Sequence, residues 1–278
     1  KSCEGATKDE LDSILKGLGD KPSSKPKHEP IETDEIFKEK DLEKLLPHYS
    51  FYNKKGISDS TLKKLKGGLS TRGQMYQRFI FPIYNEYRQI IGFAGRDMIN
   101  KEGRPKWKHI GKKTKWVYPL HNLSTNNEPK WNNAEIVLVE SIGDFLSIYE
   151  NTKLKCLTTF GLDVSPALVS ALISLSPKLI IISTNNDESS PENRGLNAAI
   201  KNYLKLLEFF DPDKIKICLP TQNDFGDMST EDYNTWEAKL GNIKLKNQCK
   251  YIFKKAKELY KEKKISKALF SKTKFINE

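Results

Sequence analysis

Apolar and polar positions follow two distinct rhythms along this chain. Between residues 78 and 96, the runs Arg78-Phe79-Ile80-Phe81-Pro82-Ile83-Tyr84 and Arg88-Gln89-Ile90-Ile91-Gly92-Phe93-Ala94-Gly95-Arg96 flank a turn at Asn85 to Tyr87, which predicts a β-hairpin. From residue 136 onward, short apolar runs alternate with longer amphipathic ones. Ile136 to Val139, Cys156 to Phe160, Leu179 to Thr184 and Lys214 to Leu219 read as strands. A helix starts near Asp144, another spans Ser165 to Leu175 with Ser165 as N-cap and Pro166 in its first turn, and a third spans Glu192 to Phe210. Strands and helices alternating on short links argue for a parallel sheet with right-handed crossovers. Toward the N-terminus, Lys8 to Leu18, Thr33 to Leu46 and Ser58 to Leu65 read as helices, the last two capped by Thr33 and Ser58. Ile252, Ala256, Leu259 and Tyr260 fall at helical spacing and predict an amphipathic helix near the C-terminus.

The predicted parallel sheet has acidic residues at its strand ends. The first strand delivers Glu140, with Asp144 four residues on; the third is followed by Asn185-Asn186-Asp187, and the fourth by Asn223-Asp224-Phe225-Gly226-Asp227. Ligands of open α/β sheets bind at the carboxyl ends of strands. Clustered carboxylates repel one another unless a cation holds them, and hard oxygen donors suit Mg²⁺ or Mn²⁺. A single loop aspartate is ordinary solvated surface; recurrence at successive strand ends marks a site.

Val139-Glu140-Ser141-Ile142-Gly143-Asp144, then Thr158-Thr159-Phe160-Gly161-Leu162, then the Asn185-Asn186-Asp187 strand end resemble the TOPRIM domain shared by primases, topoisomerases and some nucleases. The resemblance implies acid/base or metal-linked chemistry at Glu140, with Asp144 supporting it, and metal binding at Asp187, Asp224, Asn185 and Asp227. Asn185 stands where the family has the first Asp of an Asp-x-Asp motif. Its carbonyl can still ligate a hard cation, but one formal charge is lost. Glu188 to Asn193 also lengthens the loop ahead of Arg194-Gly195. Upstream, the Arg-x-x-Phe-Pro-Ile strand, the Gly-Phe-x-Gly-Arg strand and the stretch from Pro105-Lys106-Trp107 to Tyr118-Pro119-Leu120 resemble the bacterial-type (DnaG-like) primase catalytic core, phage and viral versions above all. The resemblance runs from about residue 40 to 230.

Charge adds to the picture independently. From Lys101 to Trp116, seven basic residues face one acid, Glu102, interleaved with Trp107, His109 and Trp116. Lysines attract phosphates while aromatic rings stack on splayed bases. In the family such residues guide template and nucleotide, which makes Arg78, Arg96, Lys106, Lys108 and Lys115 the candidate nucleic-acid contacts. Residues 237–278 hold 13 lysines against 4 acids, net +9 of the chain's +11. The C-terminal helix is therefore basic, and can grip nucleic acid, dock a helicase or cap the core. A hydrophobic content of 37%, a mean hydropathy of −0.62 and no long apolar run exclude a transmembrane helix and predict a soluble, cytoplasmic protein without membrane partners. Four scattered cysteines form neither a disulfide framework nor a Cys-x-x-Cys pair, and Cys156 and Cys218 read as buried small hydrophobes.

The expected fold class is α/β: a TOPRIM-type parallel sheet flanked by helices, preceded by a smaller α+β basic subdomain. The expected divisions are residues 1–18, a remnant of an N-terminal zinc ribbon with Cys3 as a former ligand or else a plain tail; a linker at 19–32; the basic subdomain at 33–133; TOPRIM at 134–230; and a basic helical segment at 231–278. Zinc is expected only in a segment preceding Lys1. The resemblance implies a DNA primase: an RNA polymerase working on single-stranded DNA with ribonucleoside triphosphates, Mg²⁺ or Mn²⁺, and a replicative helicase as partner. The alternatives are a TOPRIM nuclease and a degenerate TOPRIM acting as a nucleic-acid or helicase adaptor.

Overall fold

The computed structural model describes residues 31–276 except 101, 124–129, 189 and 191. The expectations for the helix at Lys8 to Leu18, for Cys3 and for most of the linker lie outside the described residues. Ile31, at the end of the stretch expected as linker, pairs with Ile110.

Two four-stranded sheets carry the chain. The first is antiparallel in the order β1 (Gly68–Leu69), β2 (Arg78–Tyr84), β3 (Ile90–Asp97), β4 (Trp107–Ile110). The short helices α1 (Ser50–Asn53), α2 (Asp59–Lys64) and α3 (Leu120–Leu123) accompany it. The expected hairpin is present, but its loop is longer than read: Arg88 takes a φ of 60°, and Asn85 Oδ1 accepts from the N–H groups of Tyr87 and Gln89, so β3 starts only at Ile90. Pro82 is tolerated within β2 because β1 reaches only Phe79 and Ile80; among the described residues no strand pairs beside Pro82 on that side, where Asn122 Nδ2 of α3 donates to its carbonyl at 2.9 Å.

The glycines of Gly92-Phe93-Ala94-Gly95-Arg96 have packing causes. A Cβ on Gly92 would sit 2.4 Å from the Trp116 ring and 2.6 Å from the Ile110 carbonyl, and one on Gly95 would sit 2.9 Å from Met75 Sδ. The expected helix over Thr33 to Leu46 does not form. That stretch runs along the sheet, with Phe37 pairing with Ile90 and Leu46 with Leu69, and only Glu39–Lys44 turns, as a 3₁₀ helix. Phe37 packs edge-on against Phe93 at 4.8 Å, and Asp34 is drawn to Lys112 and Lys115. Tertiary contacts override the local helical pattern there.

The second sheet is parallel, as read: β5 (Glu135–Val139), β6 (Lys155–Thr158), β7 (Leu179–Ile182) and β8 (Ile215–Ile217), in the spatial order β6-β5-β7-β8. Its crossover helices are α4 (Ile142–Asn151), α5 (Pro166–Leu175) and α6 (Arg194–Leu206); α7 (Thr230–Asn242), α8 (Leu245–Lys261) and α9 (Lys267–Phe270) follow. Ser141, Ser165 and Asn193 accept N–H bonds as caps of α4, α5 and α6.

Successive strand residues face opposite sides, so both faces are buried. Val137, Val139, Cys156 and Ile181 join Phe79, Phe81 and Tyr118 in a core shared by the two sheets. Ile136, Leu138, Leu157 and Ile180 face α5, α6 and α8 in a second core. Tyr118 also pairs with Thr158 at the β6 edge, tying the segment after the first sheet to the second. Ser58, the cap of α2, donates its N–H and Oγ to Glu150 Oε1 of α4, both at 2.8 Å. Cys156 and Cys218 are buried, as expected.

Candidate functional site

β5 and β7 are neighbours in the sheet, and at their carboxyl ends the chain leaves β5 toward β6 on one side and β7 toward β8 on the other. That switch point is the crevice where open α/β sheets bind ligands. Glu140 follows the last residue of β5 and stands at this crevice. Its Oε1 accepts the Asn185 N–H at 3.0 Å, so the ends of β5 and β7 are joined through this carboxylate. Burial raises its pKa; the Asn185 N–H and Arg194 oppose the rise, and the charges of Asp187 and Asp224 add to it.

Asp144 is the third residue of α4 and closes a capping box: Oδ2 accepts from Ser141 N–H at 3.1 Å and from Ser141 Oγ at 2.7 Å. Its Oδ1 accepts the Phe225 N–H at 3.3 Å. Only 3% exposed, it is pushed up to about 6 by burial and then by the charge of Asp224. It ties the start of α4 to the loop carrying Asp224.

The three aspartates each have a base at 3.8–3.9 Å: Asp224 faces Lys106, Asp187 faces Arg194, and Asp227 faces Lys55. Among the described residues no three His, Cys, Asp or Glu side chains converge closely enough to form a finished metal cage. The donor set nevertheless suits a hard divalent cation. Glu140, Asp187 and Asp224 are acid oxygens, the charges of Asp187 and Asp224 raise the proton affinity of Glu140, and a cation between them would relieve that repulsion. Asn185 lines the same cleft. Gly195, at the start of α6, sets its position: a Cβ there would lie 1.6 Å from the Asn185 carbonyl, and Thr184 Oγ1 donates to the Gly195 carbonyl at 2.8 Å.

The antiparallel sheet forms the opposite wall. A cleft of about 220 Å³ is bounded by Lys106, Trp107 and His109 on one side and by Glu140, Asn185 and Asp224 on the other. A smaller cavity beside it brings Arg96 and Phe51 to Asp144 and Asp224. The Arg96 guanidinium lies 5.7 Å from the Phe51 ring centroid and 6.0 Å from that of Trp107, so two rings flank it. Burial lowers its pKa, while Tyr52, Asp97 and Asp224 counter that effect. His109 is pushed down to about 4 by burial and by Lys113 and Arg78, which leaves it neutral near pH 7.

Of the five basic residues chosen from sequence, only Arg96 and Lys106 reach this cleft. Arg78 is 3% exposed and donates to the carbonyls of Gly95 and Pro105 at 3.1 and 3.0 Å beside Asp97, so it holds the loop ahead of β4 rather than facing solvent. Lys108 alternates to the other face of β4, where it donates to the Gln74 carbonyl. Lys115 joins Lys112 on Asp34. Trp116 is core, 1% exposed, whereas Trp107 and His109 line the cleft. Sequence reasoning missed Lys55, whose signal is the Lys54-Lys55-Gly56 turn after α1, and did not assign a role to Arg194 at the head of α6.

Comparison with known proteins gives a consistent likeness. Residues 36–122 match the family described as "DNA primase catalytic core, N-terminal domain". A DNA primase of Borreliella burgdorferi is 28% identical over 171 residues, covering 58% of this chain and 30% of the relative, so the chain spans under a third of that protein. Among solved structures, a DNA primase domain from Pseudomonas aeruginosa aligns with a TM-score of 0.58 at 16% identity, covering 75% of this chain and 74% of that one. The RNA polymerase domain of Mycobacterium tuberculosis primase gives 0.57 at 12% identity, covering 76% and 79%. A DnaG primase catalytic domain described as bound to single-stranded DNA gives 0.56 at 16%, covering 69% and 71%. The fold is that of primase catalytic cores. No helix among the described residues is long and apolar enough to cross a membrane.

Proposed function

We propose, from a chain whose residues 36–122 belong to the N-terminal domain family of the DNA primase catalytic core, a template-directed RNA polymerase that begins short chains on single-stranded DNA. The observation that carries this reading is the two-walled cleft: Arg96, Lys106 and Trp107 of the antiparallel sheet face Glu140 and Asp224 of the parallel one. The basic subdomain (33–133) guides the template and nucleotide, and the following segment (134–230) supplies the carboxylates.

Glu140 has a raised proton affinity at the reactive edge, which suits it to take the proton of an attacking 3′ hydroxyl. Arg96, flanked by Phe51 and Trp107, faces the phosphates of the incoming nucleotide, and Lys106 adds a second positive charge. Trp107 offers a ring to an unpaired base. Asp144 positions the Asp224 loop through Ser141 and Phe225. A divalent cation, Mg²⁺ or Mn²⁺, would be held by Asp187, Asp224, the Asn185 carbonyl and Asp227, and when bound supplies charge neutralisation to the triphosphate and polarises its α-phosphate. The family resemblance adds a replicative helicase as partner.

A TOPRIM nuclease needs the same carboxylates but does not require the basic and aromatic wall opposite them. Incubation of single-stranded DNA with ribonucleoside triphosphates and Mg²⁺ or Mn²⁺ separates the readings. Short RNA supports this one; shortened DNA indicates a nuclease, and DNA that is bound but unchanged indicates an adaptor.

A further inference from the structure

The helix α8 has a second face that the cleft does not use. Ile252, Ala256 and Leu259 on one side are buried in the core below the parallel sheet, on the face away from the antiparallel sheet. On the other side stand Lys246, Lys250, Lys254, Lys257 and Lys261, all exposed, at spacings of 4, 4, 3 and 4 residues. At 3.6 residues per turn these five fall within an arc of about 80°, and at 1.5 Å per residue they extend over roughly 22 Å. The acids of this region pair elsewhere: Glu258 with Lys255 at 2.7 Å, Glu192 and Glu262 with Lys264, Glu208 with Lys272. Among the described residues none of the five stripe lysines has an ion-pair partner within 4.0 Å.

Five ammonium groups in one straight row, with Glu258 of the same helix acting on only Lys254 and Lys261 and itself paired with Lys255, repel each other and weaken the bare helix, since like charges at i,i+4 destabilise it. A polyanion laid along the row reverses that term. A side-chain dipole or single carboxylate cannot span it; a phosphate backbone can. We infer that this stripe binds the backbone of single-stranded nucleic acid, as a surface separate from the reactive cleft. A flexible strand can follow a straight row of charges, and Tyr251, 45% exposed, lies beside Lys250 and Lys254 with its ring available to a base. The surface holds the strand without taking part in the chemistry.

The test is binding of a labelled single-stranded DNA oligonucleotide by the full chain, without nucleotides, across a salt series. Replacing all five lysines by Gln keeps good helix formers on an exposed face and relieves their mutual repulsion, so the melting temperature should hold or rise slightly. Affinity at low salt should fall at least tenfold. The slope of log affinity against log salt should flatten by roughly 0.7 for each lost phosphate contact, about 3.5 if all five are engaged. The five-Arg variant should bind as the natural chain does. Lys250→Gln and Lys254→Gln alone, which perturb folding least, should each lower the slope by about 0.7.

An unchanged affinity and slope in the five-Gln variant overturns the inference. So does tighter binding to duplex than to single-stranded DNA at equal salt, or loss of binding to polyglutamate with DNA binding intact, which would assign the stripe to an acidic protein. Because no nucleotide is present, failure here leaves the primase reading untouched, and failure to make RNA leaves the stripe untouched.

Discussion

Asp144 shows how one residue's environment becomes a measurable property. Its pKa is about 6 in the folded chain against 3.8 for a free aspartate, because burial and the charge of Asp224 disfavour ionisation. The folded state therefore holds its proton more tightly, and the stability contributed is complete below the unfolded value and lost as pH rises through 6. A shift of this size corresponds to about 3 kcal/mol. In urea unfolding without divalent metal, the natural chain's advantage over Asp144→Ala should be largest near pH 4 and shrink by about that amount by pH 7. An advantage that stays constant or grows with pH would refute this account. Asn185 offers a second residue-scale prediction. It lines the cleft and its N–H already serves Glu140. Asn185→Asp should lower the Mg²⁺ or Mn²⁺ concentration needed for half-maximal binding in calorimetry, because a charged oxygen replaces a neutral one. Unchanged or weaker binding would mean that the side chain points away from the cation.

At the scale of elements, the close contact between α6 and the strand-end loop governs the site's shape. Gly195→Ala forces a methyl group toward the Asn185 carbonyl, where the gap is 1.6 Å, so either the helix start or the loop must move. A loss of about 1–3 kcal/mol in stability is expected, accompanied by weaker divalent-metal binding. A variant with normal melting and normal metal binding would show that the loop relaxes freely. The parallel sheet was legible in sequence because its strands are short apolar runs buried on both faces, with an N-cap signal that the structure uses at Ser165; ahead of the antiparallel sheet, Ser58 was legible in the same way as the cap of α2. The stretch from Thr33 to Leu46 was not legible as extended chain. Its conformation depends on Phe37 meeting Phe93 and on Asp34 meeting two lysines far along the chain, and neither contact leaves a mark in local spacing. Arg78 and Arg96 look alike in sequence. Only the antiparallel register, which pairs Arg78 with Asp97 and Arg96 with Phe79 and Trp107, sends one into the interior and the other to the cleft.

For the whole molecule, the two sheets matter together. The strand-end carboxylates could be found by reading strands alone, but the opposing wall depends on how the antiparallel sheet docks through Phe79, Phe81, Tyr118 and Phe145. That geometry divides a basic stretch which sequence treats as uniform. Lys106→Gln should weaken single-stranded DNA binding and lower the rate of nucleotide incorporation, because Lys106 faces Asp224. Lys115→Gln should leave incorporation within about twofold, because its partner is Asp34. Equal losses from the two variants would return these lysines to a diffuse electrostatic role.

The central claim is that the cleft between the sheets joins ribonucleotides on a DNA template with Glu140 at the reacting edge. It is tested most directly by measuring labelled ribonucleotide incorporation on single-stranded DNA with Mg²⁺ or Mn²⁺, for the natural chain and for Glu140→Gln side by side. The natural chain should make short RNA, and Glu140→Gln should make none while binding single-stranded DNA within a few-fold of normal. RNA synthesis that survives in Glu140→Gln, or a natural chain that shortens the DNA and incorporates nothing, would contradict it.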